Sequence, residues 1–212
     1  EGVTIYRSST REQRNLNGLT TTQPPISIGI IGVCVAIFLM QNVSAALALW
    51  PLASGYFEPW QVLSYGFLHG SFNHIFFNMF ALWMFGLPIE RMWGSRRFAT
   101  YYFACVAGAG LVQLLVQHLS GEIYPTIGAS GAVFGLLLAF GVMFPNQRIF
   151  LIFLPVPIKA KWFVLIYGAI ELMFGITNAM PQIAHFAHLG GLIVGGAVLW
   201  RWGWRPGMTW RM

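Results

Sequence analysis

Charge is what this sequence has least of. Only 8% of its 212 residues are Asp, Glu, Lys or Arg, against 57% hydrophobic and 16% aromatic. A soluble globule of this size needs more polar surface than that, so the composition excludes a water-soluble domain and places the chain in a bilayer. Cysteine is almost as scarce. Cys34 and Cys105 both fall inside apolar runs, where a lone thiol behaves as a small hydrophobe, so no disulfide framework, no metal site and no cofactor are expected. Basic residues outnumber acidic ones 12 to 6, yet they are scattered through short segments rather than striped along one face. That distribution fits membrane topology and excludes a nucleic-acid partner.

Long apolar runs are abundant. Residues 1–25 form a polar tail with Thr20-Thr21-Thr22 before Pro24-Pro25 and without the apolar core of a signal peptide. The chain begins at Glu1 rather than methionine, which leaves sequence upstream an open question. A first span runs from Ile26 to about Met40. Five more follow: about Phe72 to Met92, Phe98 to His118, Gly128 to Met143, Trp162 to Ile176, and Ala184 to Trp202. The expected fold is an all-α membrane protein, a six-transmembrane-helix bundle over residues 26–203, with tails at 1–25 and 204–212. Residues 42–71, rich in tryptophan and nearly uncharged, read as a connection lying in the headgroup interface. The fourth span is short at 1.5 Å per residue, so residues 119–127 are expected to dip inward to meet it.

Every basic residue falls on one side of a six-span chain. Arg7, Arg11 and Arg14 precede span one; Arg91, Arg96 and Arg97 follow span two; Arg148, Lys159 and Lys161 follow span four; Arg201, Arg205 and Arg211 close the sequence. The positive-inside rule makes that side cytoplasmic and both tails cytoplasmic, in a multi-pass protein of the cell (inner) membrane.

Ser130 then lies at the outward end of span four, within Gly128-Ala129-Ser130-Gly131-Ala132. Small neighbours leave its hydroxyl open to a substrate, although the same residues alone would equally serve close helix packing. Spans two and six start at the same depth and carry His74-x-x-x-Asn78 and His185-x-x-His188. Ionisable and polar groups inside apolar spans are costly and mark function or pairing. His74 and Asn78, four apart, share a helix face and can aim two donors at one point. Gly191 and Gly195 continue the face of His188 as a small-residue ridge, which permits the approach a His–Ser hydrogen bond needs.

These residues resemble the motifs of the rhomboid family of intramembrane serine proteases. Gly128-Ala129-Ser130-Gly131 resembles its GxSG motif, Ala187-His188-Leu189-Gly190-Gly191 through Gly195 its AHxxG(x)xxG region, and His74-x-x-x-Asn78 its HxxxN motif. Glu90-Arg91-Met92-Trp93-Gly94 is similar to its glutamate-bearing turn. The match covers about residues 25–203 in the right order. The family's Trp-Arg pair stands here as Trp60-Gln61, a departure that bears on how the first loop is anchored.

The resemblance implies a Ser130–His188 dyad without an acid, supported by Phe134 against the histidine and by the tight backbone at Gly128 and Gly131. His74, Asn78 and the Ser130 N–H would form the oxyanion site, helped by the positive end of the helix dipole. Implied substrates are single-span membrane proteins cut where their helix unwinds easily. Glu171, near the middle of span five, lies outside the family pattern. A carboxyl at that depth is protonated or paired, and a structural hydrogen bond is its expected role, with no partner assigned. His185 and His188 are three apart, so spacing alone does not choose between them. His188 is preferred as the base, because it matches the family position, lies one turn deeper and stands directly above the glycine ridge, and His185 is expected at the interface. A non-catalytic client-binding relative would lack the serine or histidine, and a transporter would place several polar groups at the midplane.

Overall fold

The computed structural model describes residues 24–40, 44–151, 154–177 and 184–204. Nearly all of both expected tails, and most of the connection around 178–184, lie outside the described residues.

Among the described residues six main helices carry the fold: α1 Pro25–Met40, α2 Phe72–Trp93, α3 Ser95–Ser120, α4 Ser130–Met143, α5 Ala160–Thr177 and α6 His185–Arg201. They coincide with the six apolar runs of the sequence. Among the described residues α2, α3 and α5 are long and apolar enough to cross a membrane, while α1 and α4 are apolar but shorter. Their outward faces carry large exposed apolar side chains, among them Phe72, Leu119, Ile176, Ile193 and Trp200. So much exposed apolar surface suits lipid as the solvent.

The chain is not purely helical. Between α4 and α5, β1 (Arg148–Leu151) pairs antiparallel with β2 (Leu154–Lys159), Arg148 opposite Lys159 and Ile149 opposite Ile158, with a register irregularity between Ile149 and Leu151. Pro155 and Pro157 remove two N–H groups that a helix would need, and Val156 and Ile158 favour extended chain. The connection therefore folds as a hairpin.

Local sequence sets the helix ends. Ser71, in extended conformation, accepts a hydrogen bond from the His74 N–H at 3.2 Å and so starts α2. Within α2, residues Leu82–Gly86 form a π-helical turn just before Pro88. A wider turn there accommodates the carbonyl that the proline cannot satisfy. Gly94 ends α2 with φ of +77°, a conformation that glycine adopts without strain.

The interior is built on close crossings. Helix α6 packs between α3 and α4. A β-carbon at Gly190 would lie 2.8 Å from that of Val112, and one at Gly108 would meet Val194. The Tyr101 hydroxyl donates to the Gly135 carbonyl at 2.7 Å, and that of Tyr65 donates to the Val106 carbonyl at 2.7 Å, so the buried phenols tie helices together.

Glu90 fastens the other end of the bundle. Its buried carboxylate accepts from the Ile26 and Ser27 N–H groups at 3.0 and 2.8 Å, and from the Ser27 and Ser95 hydroxyls, each at 2.7 Å. Two of these donors are first-turn amides of α1 without partners in their own helix. One side chain thus joins α1, α2 and α3. Glu90→Ala strands these donors and is expected to cost roughly 2–5 kcal/mol, with Glu90→Gln losing less. Reversible unfolding in detergent measures this, and unchanged stability in both variants would show the linkage to be idle.

Candidate active site

Ser130 is the first residue of α4, and the loop before it is held on two sides. Leu49 and Thr126 exchange backbone hydrogen bonds at 3.0 and 2.9 Å, and the Gly128 N–H donates to the Tyr65 carbonyl at 2.9 Å. Gln117 of α3 donates to the Tyr124 carbonyl at 2.8 Å. The 119–127 segment is therefore pinned to the first connection and to α3.

Across the crossing of α4 and α6, His188 Nε2 lies 2.7 Å from Ser130 Oγ. The Phe134 ring, one turn below the serine, stacks on the imidazole with centroids 4.5 Å apart and planes 10° from parallel. Such stacking fixes the ring plane. Glycine permits the approach. A β-carbon on Gly191 would overlap the Gly131 carbonyl, and one on Gly195 would lie 3.2 Å from the Gly135 Cα. One on Gly131 would overlap Ala109. Thus Gly131, Gly191 and Gly195 all sit where the helices touch.

His74 approaches the same serine from α2. A β-carbon on Gly128, whose φ is +125°, would stand 2.7 Å from His74 Nε2 and 3.7 Å from Ser130 Oγ, so only glycine leaves room for the imidazole beside the nucleophile loop. The Gly70 N–H points to His74 Nδ1 at 3.4 Å, which makes Nδ1 the acceptor and leaves Nε2 the protonated nitrogen facing the site. Asn78 Nδ2 donates to the His74 carbonyl at 2.8 Å, and its second N–H remains for the site. Asn78, Ser130, Phe134 and Tyr167 border a mostly apolar cavity of about 430 Å³ between α2, α4 and α5.

Glu171 closes the arrangement from α5. A single carboxylate oxygen, Oε2, lies 2.9 Å from His188 Nδ1 and 2.6 Å from His185 Nδ1. Two expectations change here. Glu171 has partners, and they are the two histidines. His185 is only 4% exposed, so it is a buried residue bonded to that carboxylate rather than an interfacial imidazole. A buried acid bonded to two imidazoles is far less costly than three separate polar groups in an apolar bundle.

A rhomboid domain model matches residues 56–205. That settles the family. The chain belongs to the rhomboid family. It is 33% identical over 143 residues to mitochondrial rhomboid protein 1 of Saccharomyces cerevisiae, covering 66% of this chain and 40% of that protein. It is 38% identical over 139 residues to rhomboid protease GluP of Bacillus subtilis, covering 65% of this chain and 25% of that one. With rhomboid protease GlpG of Serratia proteamaculans it shares 27% identity over 190 residues, 85% of this chain and 63% of that protein. The matched part thus spans less than two thirds of these relatives.

Within this rhomboid, Gln61 takes over the anchoring of the first loop that the absent arginine left open. Its buried amide accepts from the Trp50 N–H at 3.2 Å and donates to the Tyr56 and Ala46 carbonyls at 3.0 and 3.4 Å. Sequence reasoning missed the Glu171–His185–His188 cluster. Its signal was present, since three ionisable residues on two adjacent spans are best placed together. It also passed over His69, whose ring meets that of His74 edge-on at 4.9 Å. Neither ring nitrogen of His69 makes a hydrogen bond among the described residues.

Burial, and next the neighbouring His74, push the His69 pKa from 6.5 down to about 4. The unfolded chain binds a proton near pH 6.5, whereas the folded chain resists it until about pH 4. Stability contributed by the neutral ring is therefore present above pH 6.5 and lost progressively as pH falls to about 4, by an amount on the order of 3 kcal/mol. His69→Phe should flatten that part of the stability profile. A wild-type and variant pair with parallel unfolding curves between pH 6.5 and 4 would contradict the assignment.

Proposed function

We propose that this rhomboid is an intramembrane serine endopeptidase that hydrolyses peptide bonds in or near the spans of single-span membrane proteins. The observation that carries the reading is the 2.7 Å contact of Ser130 Oγ with His188 Nε2 at the N-terminus of α4. Two of the relatives bear the name protease.

In this reading Ser130 Oγ attacks the scissile carbonyl as His188 Nε2 takes its proton. The carbonyl oxygen gains the negative charge and meets the Ser130 N–H, the second Asn78 N–H and His74 Nε2–H, at the positive end of α4. His188 returns the proton to the leaving amine. Water then attacks the acyl ester with His188 again the base, which restores the serine and releases the new carboxyl group. Helical substrate hides its carbonyls, so cleavage needs an unwound segment, and small residues fit beside Ser130. The apolar cavity next to the serine suits a side chain from such a segment. All six helices cross the bilayer, both termini are cytoplasmic, and the site opens to the outer side of the cell (inner) membrane.

The test is cleavage of a purified single-span substrate in detergent and in liposomes. Ser130→Ala and His188→Ala should abolish it, and Asn78→Ala should lower kcat roughly ten- to a thousandfold with a smaller change in KM, since its contact strengthens only as charge develops. Cleavage surviving in Ser130→Ala would end the proposal, and an Asn78→Ala effect confined to KM would make Asn78 a packing residue.

A further inference from the structure

Glu171 and His185 are buried ionisable residues that the reaction above does not use. We propose that Glu171 is a positioning residue for His188, held in place by His185, so that the site works as a serine–histidine–glutamate relay drawn from three helices. This rests on the proteolytic reading of Ser130 and His188.

The relay is visible as a sequence of contacts: Ser130 Oγ to His188 Nε2 at 2.7 Å, His188 Nδ1 to Glu171 Oε2 at 2.9 Å, and Glu171 Oε2 to His185 Nδ1 at 2.6 Å. An ionised carboxylate only accepts hydrogen bonds, so both Nδ1 atoms must carry protons. For His188 this leaves the Nε2 lone pair on the serine hydroxyl, which is the tautomer a general base requires. With the proton on Nε2 instead, the imidazole would donate to Ser130 and could not take its proton. Phe134 fixes the plane of the ring, but stacking does not decide which nitrogen is protonated. Glu171 does. When His188 becomes imidazolium, the same carboxylate faces the new positive charge in apolar surroundings, where the attraction is little screened.

His185 helps to hold this carboxylate on α5, the least buried of the three long helices among the described residues. Its Nδ1–H supplies a second donor to Oε2, and Phe174 closes over its ring edge-on at 5.7 Å. Gly175 eases the approach of α5 to α6, since a β-carbon there would lie 3.2 Å from the Phe186 ring. The three side chains are also spaced as a metal cluster is, with ligand atoms within 4.8 Å of one another. The two N···O separations of 2.6 and 2.9 Å argue otherwise, because ligands on a tetrahedral zinc stand about 3.3 Å apart for bonds of about 2.0 Å. They are hydrogen-bond lengths.

The proposal is tested on the full chain in detergent with histidines labelled by nitrogen-15, the His188 signals being identified by their loss in His188→Gln. Wild-type His188 should carry its proton on Nδ1, and Glu171→Gln should shift it substantially to Nε2. That readout needs no activity, so it stands or falls separately from the protease reading, which fails if the wild type cleaves nothing. In cleavage assays Glu171→Gln should lower kcat by roughly 10²- to 10⁴-fold with KM nearly constant. His185→Phe should lower it by a smaller factor. Should the amide variant not fold, Glu171→Asp keeps the charge, retracts it by one methylene, and gives the same shifts in smaller measure. An unchanged tautomer with kcat within about threefold of wild type would make Glu171 a purely structural residue. Activity restored by zinc after chelation would overturn the relay in favour of a metal site.

Discussion

Everything in the site depends on how closely α4 and α6 cross. Gly131 meets Gly191, and one turn further Gly135 meets Gly195, with backbone against backbone. A β-carbon on Gly191 would overlap the Gly131 carbonyl, so even alanine there would push α4 and α6 apart at the level where Ser130 meets His188. In a membrane such crossings are stabilised by packing rather than by the hydrophobic effect, because lipid is as apolar as the helix it touches. The glycines therefore set the distance, and the Tyr101 hydroxyl on the Gly135 carbonyl holds it.

A second constraint follows from the same solvent. A bundle whose exterior is apolar must satisfy its polar groups internally, and it does so at a few shared points. Glu90 accepts four hydrogen bonds at the expected cytoplasmic end, Gln61 makes three in the first loop, and Glu171 accepts two near the serine. Glu90 joins helices distant in sequence, Gln61 ties the first loop to itself, and Glu171 joins α5 to α6. The rigid frame around Ser130 is built from such points, and the reacting groups need only be held against it. The internal satisfaction is incomplete: the ring nitrogens of His69, like the Tyr102 hydroxyl and the Trp93 indole nitrogen, have no hydrogen-bond partner among the described residues, and protonation of His69 is a weak point of the frame in acid.

Most of this was legible in the sequence because membranes simplify the code. Apolar runs of spanning length fixed the six helices to within a few residues, and the four-residue spacing of His74 and Asn78 put both on one face. Ser130 stood out because polar residues in apolar spans are few, and the resemblance to the rhomboid motifs paired it with His188 where spacing alone left His185 open. The hairpin at 148–159 was not seen, since an apolar stretch interrupted by prolines carries no clear period. The partners of Glu171 were not seen either, because they lie 14 and 17 residues away on the next helix, beyond any local spacing rule. His185 was misplaced for the same reason. Its burial follows from the carboxylate opposite, which is a tertiary fact.

The central claim is that Ser130 is a nucleophile activated by its contact with His188. The most direct measurement is covalent labelling of the purified protein with a fluorophosphonate, followed by mass mapping of the adduct. A single phosphonyl adduct on Ser130, formed at a rate that falls to background in His188→Ala, is the predicted result. An adduct on another residue, or labelling of Ser130 that is indifferent to His188, would contradict it.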